Sequence, residues 1–76
     1  MIGIERVYRD LGSFRAVAEL WEPPLAAETI RVWLKAGKVP EDRCEHLSAA
    51  TGVSIADLNP EYWETIQRLA AVQHNG

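Results

Sequence analysis

The chain has 76 residues, of which 47% are hydrophobic and 25% charged, a composition that is typical of a soluble globular protein and excludes a disordered chain. This length predicts a single domain over residues 1–76, with no room for a second core. The net charge of −3 argues against easy nucleic-acid binding, which usually shows a basic footprint.

The two halves of the chain differ in charge. Residues 1–38 carry six basic and five acidic side chains, a net charge of +1, whereas residues 39–76 carry two basic and six acidic side chains, a net charge of −4. If one end of the molecule meets DNA, we therefore expect it to be formed by the first half.

The first 37 residues predict three short amphipathic helices. The first ends at Gly12, and Ser13 is placed to accept a hydrogen bond from the free N–H groups of the second, at about 14–20. Trp21-Glu22-Pro23-Pro24 predicts a turn, with Pro24 in the first turn of a third helix at 25–35, which Gly37 ends. The side chains expected to face the core are Ile4, Val7, Tyr8, Leu11, Phe14, Val17, Ala18, Trp21, Leu25, Ile30, Trp33 and Leu34.

The second half predicts two longer helices with a short helical segment between them. Pro40 opens a fourth helix that Gly52 stops, and its expected inward side is Cys44, Leu47 and either Ala50 or Thr51. Ser54 to Asp57 has the spacing of a capping box. Asn59-Pro60 then starts a last helix at about 60–73. Because no strand-like alternation occurs, we expect an all-α bundle of five to six short helices.

Two short helices around a turn, followed by a further core helix, are what a DNA-reading helix-turn-helix needs. Here the motif spans about 14–35. The outer face of its second helix would enter the major groove, where arginine pairs with guanine, glutamate with the cytosine amino group and aliphatic side chains with the thymine methyl group. Basic residues at the ends of the motif would contact phosphate. The predicted DNA-binding residues are Arg15, Ala26, Ala27, Glu28, Arg31, Val32, Lys35 and Lys38.

One sequence pattern resembles a known family. Trp33 ends a helix and is followed by Lys38-Val39-Pro40-Glu41-Asp42-Arg43-Cys44 and then by Ala50-Thr51-Gly52. Together with Leu11-Gly12-Ser13-Phe14 before it and Leu58-Asn59-Pro60-Glu61 after it, the pattern covers about fifty residues. It resembles the Cro-like, YdaS-type helix-turn-helix repressors of phages and prophages. The resemblance implies a λ-repressor-like fold and a small bacterial regulator that binds double-stranded operator DNA, often as a dimer.

A second hypothesis is a helix-turn-helix-shaped module that binds another protein and no DNA, such as an antirepressor, an antitoxin or a modulator of a host protein. The net negative charge favours it. The two hypotheses require different surfaces, because DNA binding needs an uninterrupted basic strip and Glu22 or Glu28 within that strip would favour a protein partner. The basic strip in question is formed by Arg15, Arg31, Lys35 and Lys38.

The last helix carries a set of apolar side chains whose place is open. A protein of this size rarely buries three tryptophans fully, and only Trp33 has a clear position in the predicted core. The apolar set either forms a homodimer interface or folds back on its own core. Its members are Tyr62, Trp63, Ile66 and Leu69.

Catalytic and metal sites are not expected. Cys44 and His46 lie two residues apart and point in different directions on a helix, so Cys44 is expected to be a packed core thiol and His46 an exposed residue. No set of ligands with metal-binding spacing is present, so we expect neither an enzyme nor a cofactor. With one cysteine, no stretch of 18 apolar residues and no signal-peptide pattern, we expect a cytoplasmic protein that does not bind membranes.

Overall fold

The computed structural model describes residues 2–74, with the side chains of residues 2–71. This part of the chain contains no strand and folds into six helices: α1 (Gly3–Leu11), α2 (Phe14–Ala18), α3 (Ala27–Ala36), α4 (Glu41–Thr51), α5 (Ile55–Leu58) and α6 (Pro60–His74). The prediction of an all-α bundle with five to six short helices is confirmed. Within the described residues, no helix combines the length and the apolar character needed to cross a membrane.

The predicted starts and ends of several helices are confirmed by their hydrogen bonds. The Ser13 hydroxyl accepts from the Ala16 N–H at 3.0 Å at the start of α2, and the Ser54 hydroxyl accepts from the Asp57 N–H at 3.3 Å at the start of α5. Gly52 ends α4 with φ of +79°, and its N–H donates to the Ser48 carbonyl at 2.8 Å. A residue with a side chain rarely adopts this left-handed conformation, which is why glycine stands there.

The core is built from apolar side chains of α1 to α5 and of the connections between them. Leu11 was expected to face inward, but it is 39% exposed at the end of α1. Thr51, rather than Ala50, completes the inner side of α4, and its hydroxyl donates to the Leu47 carbonyl at 2.7 Å. The buried apolar residues are Ile4, Val7, Val17, Ala18, Trp21, Ile30, Trp33, Val39, Cys44, Leu47, Val53 and Leu58.

The connection between α2 and α3 differs from the prediction. α2 ends at Ala18 and α3 begins at Ala27, whereas helices at 14–20 and 25–35 were predicted. The Trp21 N–H donates to the Ala18 carbonyl at 3.4 Å, which closes α2, and the Leu25 N–H donates to the same carbonyl at 3.1 Å. Because Leu25 is tied back to the end of α2, it cannot start α3, and Pro24 lies before the helix.

Asn59 fastens the turn before α4 to the start of α6. Its side-chain N–H donates to the Val39 carbonyl at 2.8 Å, and its side-chain oxygen accepts from the Tyr62 N–H at 3.1 Å. The Val39 N–H in turn donates to the Leu58 carbonyl at 3.0 Å. Asn59 is 5% exposed and is the one buried polar side chain in the described part of the chain. Both of its polar groups are satisfied, so its burial costs little.

α6 packs mainly against α5 and extends beyond the core. It runs to His74, one residue past the predicted end, and its 15 residues make a helix about 22 Å long. Tyr62 packs against the core, but Trp63 is 37% exposed and Leu69 58% exposed. Leu69 therefore does not fold back on the core of its own chain.

Candidate DNA-binding surface

The outer face of α3 consists of exposed side chains at helical spacing. Ile30 and Trp33 on the opposite face are buried, with exposures of 0% and 5%, so the rotation of α3 about its axis is fixed by the core. Residues at positions i, i+3, i+4 and i+7 of the helix then share the solvent side. These residues are Glu28, Arg31, Val32 and Lys35, all of them exposed as predicted.

The two predicted alanine contacts lie at the very start of α3. Ala27 is its first residue, and Ala26 precedes the helix as its N-cap, so the prediction that Ala26 lies on the helical outer face is wrong. The reason is the tie between Leu25 and the end of α2, which delays the start of the helix. Both alanines are exposed. Ala26 has no side-chain acceptor, so no side-chain cap covers the first N–H groups of α3.

Arg15 lies next to the start of α3, although it belongs to α2. It lines a surface groove of about 340 Å³ together with Ala18, Glu19, Pro24, Leu25 and Ala27. Arg15, which carries a guanidinium, and Ala27, which begins α3 with its uncapped N–H groups, therefore line the same groove. Both kinds of donor bind phosphate oxygens, and a helix N-terminus favours an anion. This arrangement suits a contact with a nucleic-acid backbone.

Three of the four predicted cations are paired with carboxylates. Each pair is exposed on both sides, and pairs of this kind contribute about 0–1 kcal/mol. A phosphate can therefore displace the carboxylate at small cost. The pairs are Arg15–Glu19 at 3.1 Å, Arg31–Glu28 at 3.8 Å and Lys38–Glu61 at 3.9 Å. Within the described residues, Lys35 makes no ion pair.

Glu28 lies within the basic strip. It is one turn from Arg31 on the same face, and both side chains are exposed, at 72% and 68%. Glu22 is also exposed, in the connection before α3. The basic strip is therefore interrupted by one carboxylate on α3 itself. This is the feature that favours the hypothesis of a protein partner.

Cys44 is the packed thiol that the sequence predicts. It is fully buried, and its Sγ donates to the Val39 carbonyl at 3.5 Å. Burial, with a smaller effect from the carboxylates of Glu41, Asp42 and Glu45, raises the pKa of the Cys44 thiol to about 11. A thiol with this pKa is almost wholly protonated near neutral pH and is a poor nucleophile. No three acidic, histidine or cysteine side chains in the described residues are placed to hold a metal ion.

His46 makes two contacts that the sequence did not reveal. It is exposed, as predicted, but its Nε2 lies 2.7 Å from the Leu20 carbonyl oxygen. Its ring stacks on Trp21 with centroids 4.9 Å apart, and Trp21 in turn meets Trp33 edge-on at 5.6 Å. Residues 20 and 46 lie 26 positions apart, so no local periodicity could have indicated this contact.

Comparisons with known proteins identify no relative. No family model, curated protein or solved structure matches the chain. What the protein does must therefore be inferred from its sequence and its own geometry.

Proposed function

We propose that the protein is a sequence-specific DNA-binding transcription regulator, a repressor of phage or prophage type, which binds operator DNA as a homodimer. The outer face of α3 is the observation that carries the proposal. Its ten residues form a helix about 15 Å long, one side of which is anchored in the core while the other is exposed to solvent. A helix of this width fits the major groove of B-DNA, which is about 12 Å wide.

The outer face offers three kinds of contact with base edges. The Arg31 guanidinium can donate two hydrogen bonds to a guanine, the Glu28 carboxylate can accept from a cytosine amino group, and Val32, 54% exposed, can meet a thymine methyl group. The Arg31–Glu28 pair is long, at 3.8 Å, so breaking it to contact bases costs little.

Phosphate contacts would come from the remaining cations. Arg15 lies beside the start of α3, Lys35 in its last turn and Lys38 just after it. Three phosphate contacts per subunit give about six per dimer, so the logarithm of the binding constant should fall with the logarithm of salt concentration with a slope of about −5. Binding by a monomer should show about half of that slope.

The dimer interface is proposed on α6. Trp63 and Leu69 are exposed there, at 37% and 58%, and Ile66 is half-buried. A contiguous exposed apolar patch often marks a protein–protein interface, and a second copy of the chain could cover these three side chains. Two copies would place two α3 helices on one duplex, as a palindromic operator requires.

A salt-stepped titration tests the proposal. The purified protein is titrated with DNA from upstream of its own gene, and scrambled DNA serves as the control. Arg31→Ala should abolish most of the preference for the specific DNA, because it removes a bidentate base contact that discriminates by about 1–3 kcal/mol. Arg68→Ala, which removes the same charge from exposed α6, is the matched control and should leave the preference unchanged.

Glu28 on the outer face of α3 favours a second candidate function, a module that binds another protein. A carboxylate beside Arg31, with three cations already paired, makes a mixed-charge surface of the kind that a complementary protein recognises. Folded protein that fails to bind any DNA at low salt would support this function in place of the first. The same titration therefore separates the two candidates.

A further inference from the structure

The connection between α2 and α3, residues 19–26, is held by a side chain from a distant helix. It has eight residues and contains Pro23-Pro24, whereas a helix-turn-helix usually has a turn of three or four. The His46 Nε2 reaches into it from α4 and lies 2.7 Å from the Leu20 carbonyl oxygen. A carbonyl oxygen can only accept, so Nε2 carries the proton and donates.

The ring of His46 holds the next residue of the connection. It lies against the Trp21 indole at a centroid distance of 4.9 Å, with 29° between the ring planes. Trp21 is 7% exposed and meets the Trp33 ring of α3 edge-on, with 71° between the planes. The three rings thus link α4 to the connection and the connection to α3.

This link matters because, among the described residues, the His46 contacts are the hydrogen bond and ring contact that join α4 to the helix-turn-helix beyond the packing of Cys44 and Leu47 in the shared core. The main helix contact of α4 is with α5, and α2 and α3 pack mainly against each other and against α1. His46 fixes both a backbone carbonyl and a ring on two consecutive residues, Leu20 and Trp21. Two such points fix the direction in which the chain leaves α2. The contact of Trp21 with Trp33, which belongs to α3, extends this constraint to α3.

We propose that His46 is a positioning residue for DNA recognition: it touches no DNA itself, but sets the orientation of the outer face of α3. The inference rests on the proposed function. It gives α4 a part in recognition and explains how a long connection without a glycine can hold α3 in one position. The two contacts of His46 thus constrain the long connection, as a short turn would constrain a shorter one.

Three variants separate the two contacts of His46. His46→Gln keeps a donor but loses the stacked ring, His46→Phe keeps a ring but loses the donor, and His46→Ala loses both. Ala49→Gln, which changes an exposed side chain of α4, is the matched control. Each variant is checked for helical circular dichroism, the amide NMR resonances of α3 are recorded without DNA, and the specific DNA titration is repeated.

His46→Ala should remain helical, move the amide resonances of Glu28, Arg31 and Val32, and weaken specific binding about tenfold, because only part of the population then holds α3 in the binding orientation. His46→Gln and His46→Phe should fall between wild type and His46→Ala. Ala49→Gln should leave both readouts unchanged.

A His46→Ala protein that is less stable, yet has unchanged α3 resonances and unchanged affinity, would overturn the inference, since His46 would then only add stability. If His46→Ala does not fold, the Gln and Phe variants decide by the same two readouts. If the wild-type protein binds no DNA, the proposed function fails, and the α3 resonances of the variants alone decide whether His46 positions α3.

Discussion

Replacing Asn59 by alanine should destabilise the protein more than any exposed polar substitution. The Asn59 side chain makes two hydrogen bonds that alanine cannot make, one to the Val39 carbonyl at 2.8 Å and one from the Tyr62 N–H at 3.1 Å. The second is an N-cap bond for α6, because the acceptor lies three residues before the donor at the helix start.

The two bonds give the expected magnitude. Loss of an N-cap side chain costs about 1 kcal/mol, and loss of a buried hydrogen bond costs about 1 kcal/mol more. The Val39 carbonyl keeps only the Cys44 thiol, at 3.5 Å, which is a weak donor. We therefore expect the free energy of unfolding to fall by about 2 kcal/mol. In a domain of this size, such a loss lowers the melting temperature by about 8–16 °C.

Urea denaturation followed by circular dichroism measures this loss. Ser54→Ala is the matched control, because it removes one exposed cap bond of 3.3 Å from α5 and should cost no more than about 1 kcal/mol. Asn59→Asp keeps the acceptor for the Tyr62 N–H but turns a carboxylate oxygen toward the Val39 carbonyl in a buried position, so it should not recover the full stability of the wild type. A loss below about 0.5 kcal/mol for Asn59→Ala would show that the Val39 turn does not depend on this side chain.

Three further predictions concern packing, ionisation and assembly. Gly3→Ala should lower the unfolding midpoint in urea, because a Cβ there would lie 2.6 Å from the Asp57 carbonyl. The resulting strain of about 1–3 kcal/mol exceeds the gain of up to about 1 kcal/mol that alanine brings over glycine within a helix. An unchanged midpoint would contradict the close contact of α1 and α5. Between pH 9 and pH 11, the free energy of unfolding should decline more in the wild type than in Cys44→Ala. The Cys44 thiol has a pKa of about 11 in the folded protein and its ordinary value of 9.0 in the unfolded chain, so in this range the unfolded chain loses the thiol proton more readily, which favours unfolding. Parallel declines in the two proteins would refute the raised pKa. Leu69→Glu should convert the dimer to a monomer in analytical ultracentrifugation and leave the circular dichroism unchanged. Gln67→Glu, which adds the same charge to the same helix, should leave the protein dimeric. If Leu69→Glu remained a dimer, the apolar face of α6 would be excluded as the interface.

Local signals in the sequence predicted most of the fold. Glycine in the left-handed conformation and serine at an N-cap act over three or four residues, so the ends of α1, α3 and α4 and the start of α2 were predictable. The apolar spacing of α3 likewise predicted which of its residues are exposed. These features depend on backbone hydrogen bonds close in sequence, which a local pattern can represent.

The parts that were missed depend on distant residues. Leu25 was expected to open α3, but its N–H is bound by the Ala18 carbonyl, and His46 secures the same connection from α4. Asn59 was predicted to start α6, and its bond to the Val39 carbonyl, 20 positions away, was not foreseen. Contacts of this kind are decided by tertiary packing, which overrides local propensity.

The tryptophans also give the protein its own optical reporters. Trp21 and Trp33 belong to the ring stack beneath α3, whereas Trp63 is 37% exposed on α6. A soluble quencher should therefore reach Trp63 first and leave an emission that comes mainly from the stack. Trp63→Phe isolates that emission, so a shift in its wavelength on adding a ligand would report a rearrangement around Trp21 and Trp33. A shift on dilution that the wild type shows and Trp63→Phe does not would report separation of the α6 faces.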